Sequence, residues 1–238
     1  GRHALIHHDA RHRRLQAVPP SPSPREDEPS GDTWAIVVAA GSGARFGGPK
    51  QFAPLRGRRV IDWSLAAARA ACGGVVCVLP PGHVGSEPAA DVSMPGGATR
   101  SESVRAGLAA VPDDAAIIVV HDAARPVAPA SLFAEVIAAV RGGADAAIPG
   151  VAVHDTIRHA DEGVIDRAHL LAVQTPQAFR ASALRSAHAG GGEATDDASL
   201  VEAAGGTVVV VPGRSHNLKI TDPGDLRIAA VLLDEADA

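Results

Sequence analysis

From residue 33 onward, continuous apolar runs alternate with segments of helical periodicity, and this alternation most constrains the fold. The runs are IVVAA at 36–40, VVCVLP at 75–80, IIVVHD at 117–122 and TVVVVPG at 207–213. A run without a polar face predicts a strand covered on both sides. Between the runs, 60–71, 101–111 and 131–141 carry helical spacing, and a short strand fits 144–151. Thr99 and Glu102 form a capping-box pattern at the second of these helices. Gly142-Gly143 closes the third, and Asp222-Pro223 opens a final one as N-cap and first helical residue. Strands alternating with helices predict an α/β chain with a mostly parallel sheet covered by helices on both faces. Aromatics are only 3% of the 238 residues and hydrophobics 46%, so Ala, Val, Leu and Ile must build the core.

Two regions depart from the alternation. In 152–177, HDTIRHA and GVIDRA alternate apolar with polar residues around Asp161-Glu162-Gly163, which predicts an antiparallel hairpin projecting as an arm. Isolated hairpins are marginal, so a partner subunit is expected to cover it. Residues 1–32 hold four of the 11 histidines, an arginine cluster and PPSPSPREDEPSGD, a composition that predicts a disordered extension. A single folded domain is expected over 33–238, with no fused further domain after the last helix.

Charge and composition exclude several classes. A net charge of −5 argues against nonspecific nucleic-acid binding. No apolar run approaches the ~18 residues of a membrane span, and a soluble, cytoplasmic protein with no membrane partner is expected. Cys72 and Cys77 read as reduced, buried thiols, and no histidine stands at metal spacing from them.

The first strand runs into a glycine-rich loop, WAIVVAAGSGARFGGPK, from Trp34 to Lys50. Glycines let a backbone approach an anion, and Arg45 and Lys50 supply fixed cations. A dinucleotide fingerprint fails at Phe46, where a third glycine is required, and the second strand ends without a ribose-binding acid. A P-loop fails because Gln51, not Ser or Thr, follows Lys50. A phosphate-handling loop of another kind remains.

The motifs in chain order, AAGSGARFGGPKQF, GGATRSESVRAGL, HDAARP, HDTIR, IDR, QTPQAF, ATDDASLVEAAG and HNLKIT, resemble the 2-C-methyl-D-erythritol 4-phosphate cytidylyltransferase family across about residues 34–235. The resemblance implies that 33–238 is a cytidylyltransferase domain of Rossmann-like nucleotidyltransferase fold. It also implies CTP and 2-C-methyl-D-erythritol 4-phosphate as substrates, Mg²⁺ as cofactor, and a homodimer joined through the 152–177 arm. It assigns Arg45 and Lys50 to charge stabilisation at the reacting phosphate. It places Ala39, Ala40, Gly41, Ser42, Gly43, Gly97, Ser103 and Ala123 around CTP. Asp122, Arg125, Thr156, Arg167, Thr175 and Lys219 would meet the alditol phosphate, with Asp122 also beside the metal and Arg167 reaching the neighbouring subunit's site. Ala98 stands where many relatives have an acidic residue, so one base contact is lost or replaced. His121 is expected to be a satisfied structural histidine, since an anionic phosphate needs no base. Alternatives are a cytidylyltransferase for another alditol phosphate, such as ribitol 5-phosphate, a nucleotide-binding protein without catalysis, and a dehydrogenase. The cations oppose the second, and Phe46 the third.

Overall fold

The computed structural model describes residues 16–17, 32–83, 85 and 87–236. Each central strand sends alternate side chains to opposite faces, because successive Cβ atoms in a strand point opposite ways. Ala35, Val37, Val75, Cys77 and Val119 pack with Ile61, Leu65, Phe133 and Val136 from helices Val60–Ala71 and Ala130–Arg141. Ile36, Val76, Val78 and Ile118 pack on the other face, with Val104 and Leu108 from helix Arg100–Ala110 and with Leu184 and Val201 from helices Ala181–Ala189 and Asp197–Ala203. The continuous apolar runs are therefore strands covered on both sides, as their composition predicts. A third cluster, with Leu55, Val60, Val127 and Ile220, is closed by Ala229 and Leu233 of helix Pro223–Ala236.

The sheet runs, from one edge to the other, through Gln16–Ala17, Val208–Pro212, Ala146–Ala152, Gln177–Arg180, Ile117–Asp122, Thr33–Val38, Gly74–Leu79 and Val92–Pro95. Thr33–Val38 pairs in parallel with both Ile117–Asp122 and Gly74–Leu79, and Val208–Pro212 with Ala146–Ala152. One strand interrupts this order. Gln177–Arg180 lies antiparallel between Ile117–Asp122 and Ala146–Ala152, with Gln177 opposite Val120. The chain therefore re-enters the sheet from the end where the parallel strands finish, which brings residues 174–176 to that end. Val38 pairs with Asp122, so the glycine loop and the charged end of the 117–122 strand leave the sheet side by side.

The hairpin is present: Ile157–His159 pairs with Gly163–Ile165, and Leu171–Val173 returns along Gly150–Ala152. Val164, Ile165, Leu171 and Val173 are all exposed on it, Val164 at 65%. Gln16–Ala17 adds a parallel edge strand beside Val209–Val210. The rest of the expectation for 1–31 falls outside the described residues. Predicted boundaries differ at strand ends: the first strand is 33–38 rather than 36–40, because Ala39 and Ala40 already belong to the loop.

Candidate active site

The glycine loop leaves the buried Thr33–Val38 strand and turns at Gly43. Its backbone is left-handed there (φ +68), and an added Cβ would stand 1.8 Å from the Gly48 carbonyl oxygen, so no other residue fits. The amides of Phe46, Gly47 and Gly48 donate to the Gly43 carbonyl at 2.9, 3.0 and 3.2 Å. Gln51, buried beneath the loop, donates through Nε2 to the carbonyls of Ala39 (2.7 Å) and Gly41 (3.2 Å). These ties shape a loop whose outer surface, Gly41, Ser42 and Arg45, is exposed. Lys50 is held at its base, with Nζ donating to the Ile220 carbonyl at 2.5 Å. Burial, and then the neighbouring charges of Lys219 and Arg45, lower the Lys50 pKa from its ordinary value. Three cations thus converge at the loop.

Helix Arg100–Ala110 faces this loop across the strand ends. Gly107 lets it lie close on the sheet, since a Cβ there would come within 2.5 Å of the Ile36 side chain. Its N-terminus is closed by the reciprocal Thr99–Glu102 capping box, as the sequence predicts. Gly97 donates to Ser103 Oγ (3.2 Å), which itself donates to the Thr99 carbonyl (2.9 Å). Ala98 donates its backbone amide to Glu102 Oε2 at 2.6 Å.

Asp122 is the centre of the charged cluster. Lys219 Nζ lies 2.5 Å from Oδ2, and Arg100 Nε lies 3.2 Å from Oδ1. The Asp122 amide donates to Thr175 Oγ1 at 3.1 Å. Burial pushes the carboxyl pKa up, but the attraction of Arg100, Lys219 and Arg125 outweighs it and holds the group well below the usual carboxylate range. Arg125 donates to the Asn217 carbonyl at 2.7 Å, and Asn217 Nδ2 donates to the Thr175 carbonyl at 2.9 Å. An open cavity of about 390 Å³ lies over this cluster, lined by Arg100, Asp122, Arg125, Thr175 and Lys219 with Thr195 and Asp196 at its side.

The structure therefore brings Asp122, Arg125, Thr175 and Lys219 into one pocket and links Lys50 to it through the Ile220 carbonyl. Thr156 and Arg167 stand exposed on the arm and do not line it, with Arg167 donating to the His154 carbonyl of the arm itself. His121 is fully buried between Thr175 Oγ1 (3.2 Å from Nδ1) and the Phe133 ring, and burial pushes its pKa down to about 4. It is a neutral core residue, but only partly the satisfied histidine expected: Nδ1 has Thr175, whereas Nε2 is buried without a hydrogen-bond partner among the described residues. Sequence reasoning missed Gln51, Arg100 and Asn217. Arg100 and Asn217 act through partners far along the chain, which leave no local pattern. Gln51 acts on Ala39 and Gly41, 12 and 10 residues away, through a side chain that turns inward beneath the loop.

Among the described residues no group of three His, Cys, Asp or Glu side chains could hold a metal by itself. A Mg²⁺ ion needs less: one or two carboxylates, with waters and substrate phosphates completing its shell. Asp122, ionised and at the pocket wall, fits that requirement.

A mostly parallel sheet whose strand ends carry a glycine loop, convergent cations and the ionised carboxylate of Asp122 fits a nucleotidyltransferase. The sequence profile of the family described as IspD, 2-C-methyl-D-erythritol 4-phosphate cytidylyltransferase, matches residues 33–235, and the chain belongs to that family of transferases. A 2-C-methyl-D-erythritol 4-phosphate cytidylyltransferase from Nocardia farcinica is 43% identical, over 87% of this chain and 96% of its own length. A bifunctional enzyme IspD/IspF from Dinoroseobacter shibae is 44% identical over 90% of this chain, which spans 57% of that relative's length. The crystal structure of 2-C-methyl-D-erythritol 4-phosphate cytidylyltransferase from Thermus thermophilus superposes with a TM-score of 0.74 at 37% identity, covering 84% of this chain and 98% of that one.

Proposed function

We propose that the chain transfers the cytidylyl group of CTP to 2-C-methyl-D-erythritol 4-phosphate, a step in isoprenoid precursor synthesis. The observation that carries this reading is the placement of Lys50, Lys219 and the ionised Asp122 together at the strand ends, with family membership naming the substrates. A non-bridging oxygen of the alditol phosphate attacks the α-phosphorus of CTP. One P–O bond forms there, the bond to the β-phosphate oxygen breaks, and pyrophosphate leaves. Negative charge gathers on the α-phosphoryl oxygens, so positioned cations and amides are the principal catalysts.

Arg45 and Lys50 stabilise that charge. Gly41, Ser42 and Gly43 follow the triphosphate, with Ala39 and Ala40 beside the nucleotide, while Gly97, Ser103 and Ala123 meet the cytidine. Asp122 and Arg125 hold the acceptor's hydroxyls with Thr175, and Lys219 turns from Asp122 to its phosphate. Mg²⁺, held by Asp122, would neutralise phosphate charge.

The exposed apolar residues of the arm, Val164, Ile165, Leu171 and Val173, support a homodimer formed there. Thr156 and Arg167, which do not line the pocket of their own chain, then act in the neighbouring one. The free, buried thiols Cys72 and Cys77 suit the reducing cytoplasm.

Pyrophosphate release on mixing protein, CTP, Mg²⁺ and a candidate acceptor tests the assignment. Release is expected with 2-C-methyl-D-erythritol 4-phosphate. Release with ribitol 5-phosphate alone would reassign the acceptor, and release with neither would overturn the reading.

A further inference from the structure

Arg100 is placed where helix physics disfavours it. It is the first residue of helix Arg100–Ala110, where the positive end of the helix dipole repels a cation. Its side chain is also only 22% exposed. Two carboxylates offset both costs. Nε lies 3.2 Å from Asp122 Oδ1, and Nη1 lies 2.8 Å from Asp197 Oδ2. Asp197 is itself buried at 1% exposure, and His188 Nε2 lies 3.0 Å from its other oxygen.

Tying the 100–110 helix to the segment before Asp197 does not require this arrangement. Ser101 Oγ already accepts from the Ala194 amide at 3.2 Å, and Arg105 grips the Gly192 carbonyl (3.0 Å) and Glu193 (2.8 Å). What Arg100 adds is a link from that framework to the pocket carboxylate.

We propose that Arg100 is a positioning residue: anchored on Asp197 and His188, it holds one oxygen of Asp122 in place when Lys219 turns from the other oxygen to the acceptor's phosphate. The two cations divide Asp122 between them, one oxygen each, and differ in exposure: Lys219 is 42% exposed on a loop, whereas Arg100 is mostly buried. The exposed partner is free to change ligand, and the buried, doubly anchored one stays. Arginine suits the post because its fork reaches two carboxylates at once, which the point charge of lysine does not.

This inference rests on the acceptor reading of the pocket. Its test uses whichever alditol phosphate the wild-type protein accepts, so a change of acceptor leaves it measurable. Affinities for CTP and for the acceptor are measured separately by calorimetry, the latter in the presence of a non-reacting CTP analogue, alongside turnover and thermal melting. In Arg100→Gln, the acceptor's dissociation constant should rise and kcat fall, each about 10- to 100-fold, the usual effect of removing a partner that orients a ligand-holding group. CTP affinity should change less than threefold. Asp197→Asn should reproduce part of the loss, because it removes the anchor and keeps the contact to Asp122. Arg100→Lys should recover part of it, because lysine can pair with only one carboxylate. Equal weakening of both substrates, or loss confined to the melting temperature, would assign Arg100 a merely structural role. Wild-type acceptor affinity and kcat in a folded Arg100→Gln protein would overturn the proposal.

Discussion

At the scale of single residues, the site is governed by which charges are fixed before substrate arrives. Lys50 is held by the Ile220 carbonyl and crowded by Lys219 and Arg45, a cluster that an incoming triphosphate would relieve. Lys50→Ala should lower kcat by about 10²- to 10³-fold, the range for removing one donor to developing charge. The CTP dissociation constant should rise far less, because the interaction strengthens in the transition state. Steady-state kinetics with calorimetric CTP binding check this, and equal losses in both would remove Lys50 from the chemistry. His121 sets a different expectation. Burial holds its folded pKa at about 4, below the ordinary value of 6.5, so the protonated form favours the unfolded chain. That stability is fully present above the unfolded pKa and is lost as pH falls through 6.5 toward 4, by about 3 kcal/mol at most. Denaturant titrations of the metal-free protein between pH 7 and 4.5 should show the slope, and His121→Asn should flatten it. Parallel curves for the two proteins would contradict the assignment.

At the scale of elements, the glycine loop is set by one residue more than by its glycine count. Gly43 alone combines a left-handed backbone with a carbonyl where its Cβ would be, whereas nothing lies within 4 Å of a Cβ built at Gly41. Gly43→Ala should therefore cost at least tenfold in kcat/KM, and Gly41→Ala less in loop geometry. A crystal structure of Gly43→Ala with an unmoved loop and unchanged kinetics would refute this.

Elements also show what was legible in the sequence. The 117–122 strand announced itself because both its faces are apolar, and Thr99 with Glu102 announced the cap of the preceding helix, Arg100–Ala110, because the motif is local. Gln177–Arg180 did not, because four residues of mixed character carry no period, and its antiparallel place depends on the arm that precedes it. Arg100 was invisible for a related reason: its partners Asp122 and Asp197 lie 22 and 97 residues away. The glycine loop and both its cations could be read, whereas the network that orients Asp122 required the fold.

At the scale of the whole molecule, the chain separates chemistry from completeness. A single chain holds the loop, Asp122, Arg125 and Lys219, while Thr156 and Arg167 stand on an arm with exposed apolar residues of its own. The double variant Val164→Asp, Ile165→Asp, at exposed arm positions that do not line the pocket, should sediment as a monomer and lose at least tenfold in turnover while keeping its CTP affinity. A fully active monomer would show that the arm contributes nothing in trans.

In the proposed reaction an acceptor phosphate oxygen attacks the α-phosphorus of CTP at this loop. The most direct measurement is mass spectrometry of products formed from CTP and 2-C-methyl-D-erythritol 4-phosphate whose phosphate carries ¹⁸O. All the label should remain in a cytidine-linked diphosphate product, and the pyrophosphate should be unlabelled. Label in the pyrophosphate, or release of pyrophosphate with free CMP and no linked product, would contradict it.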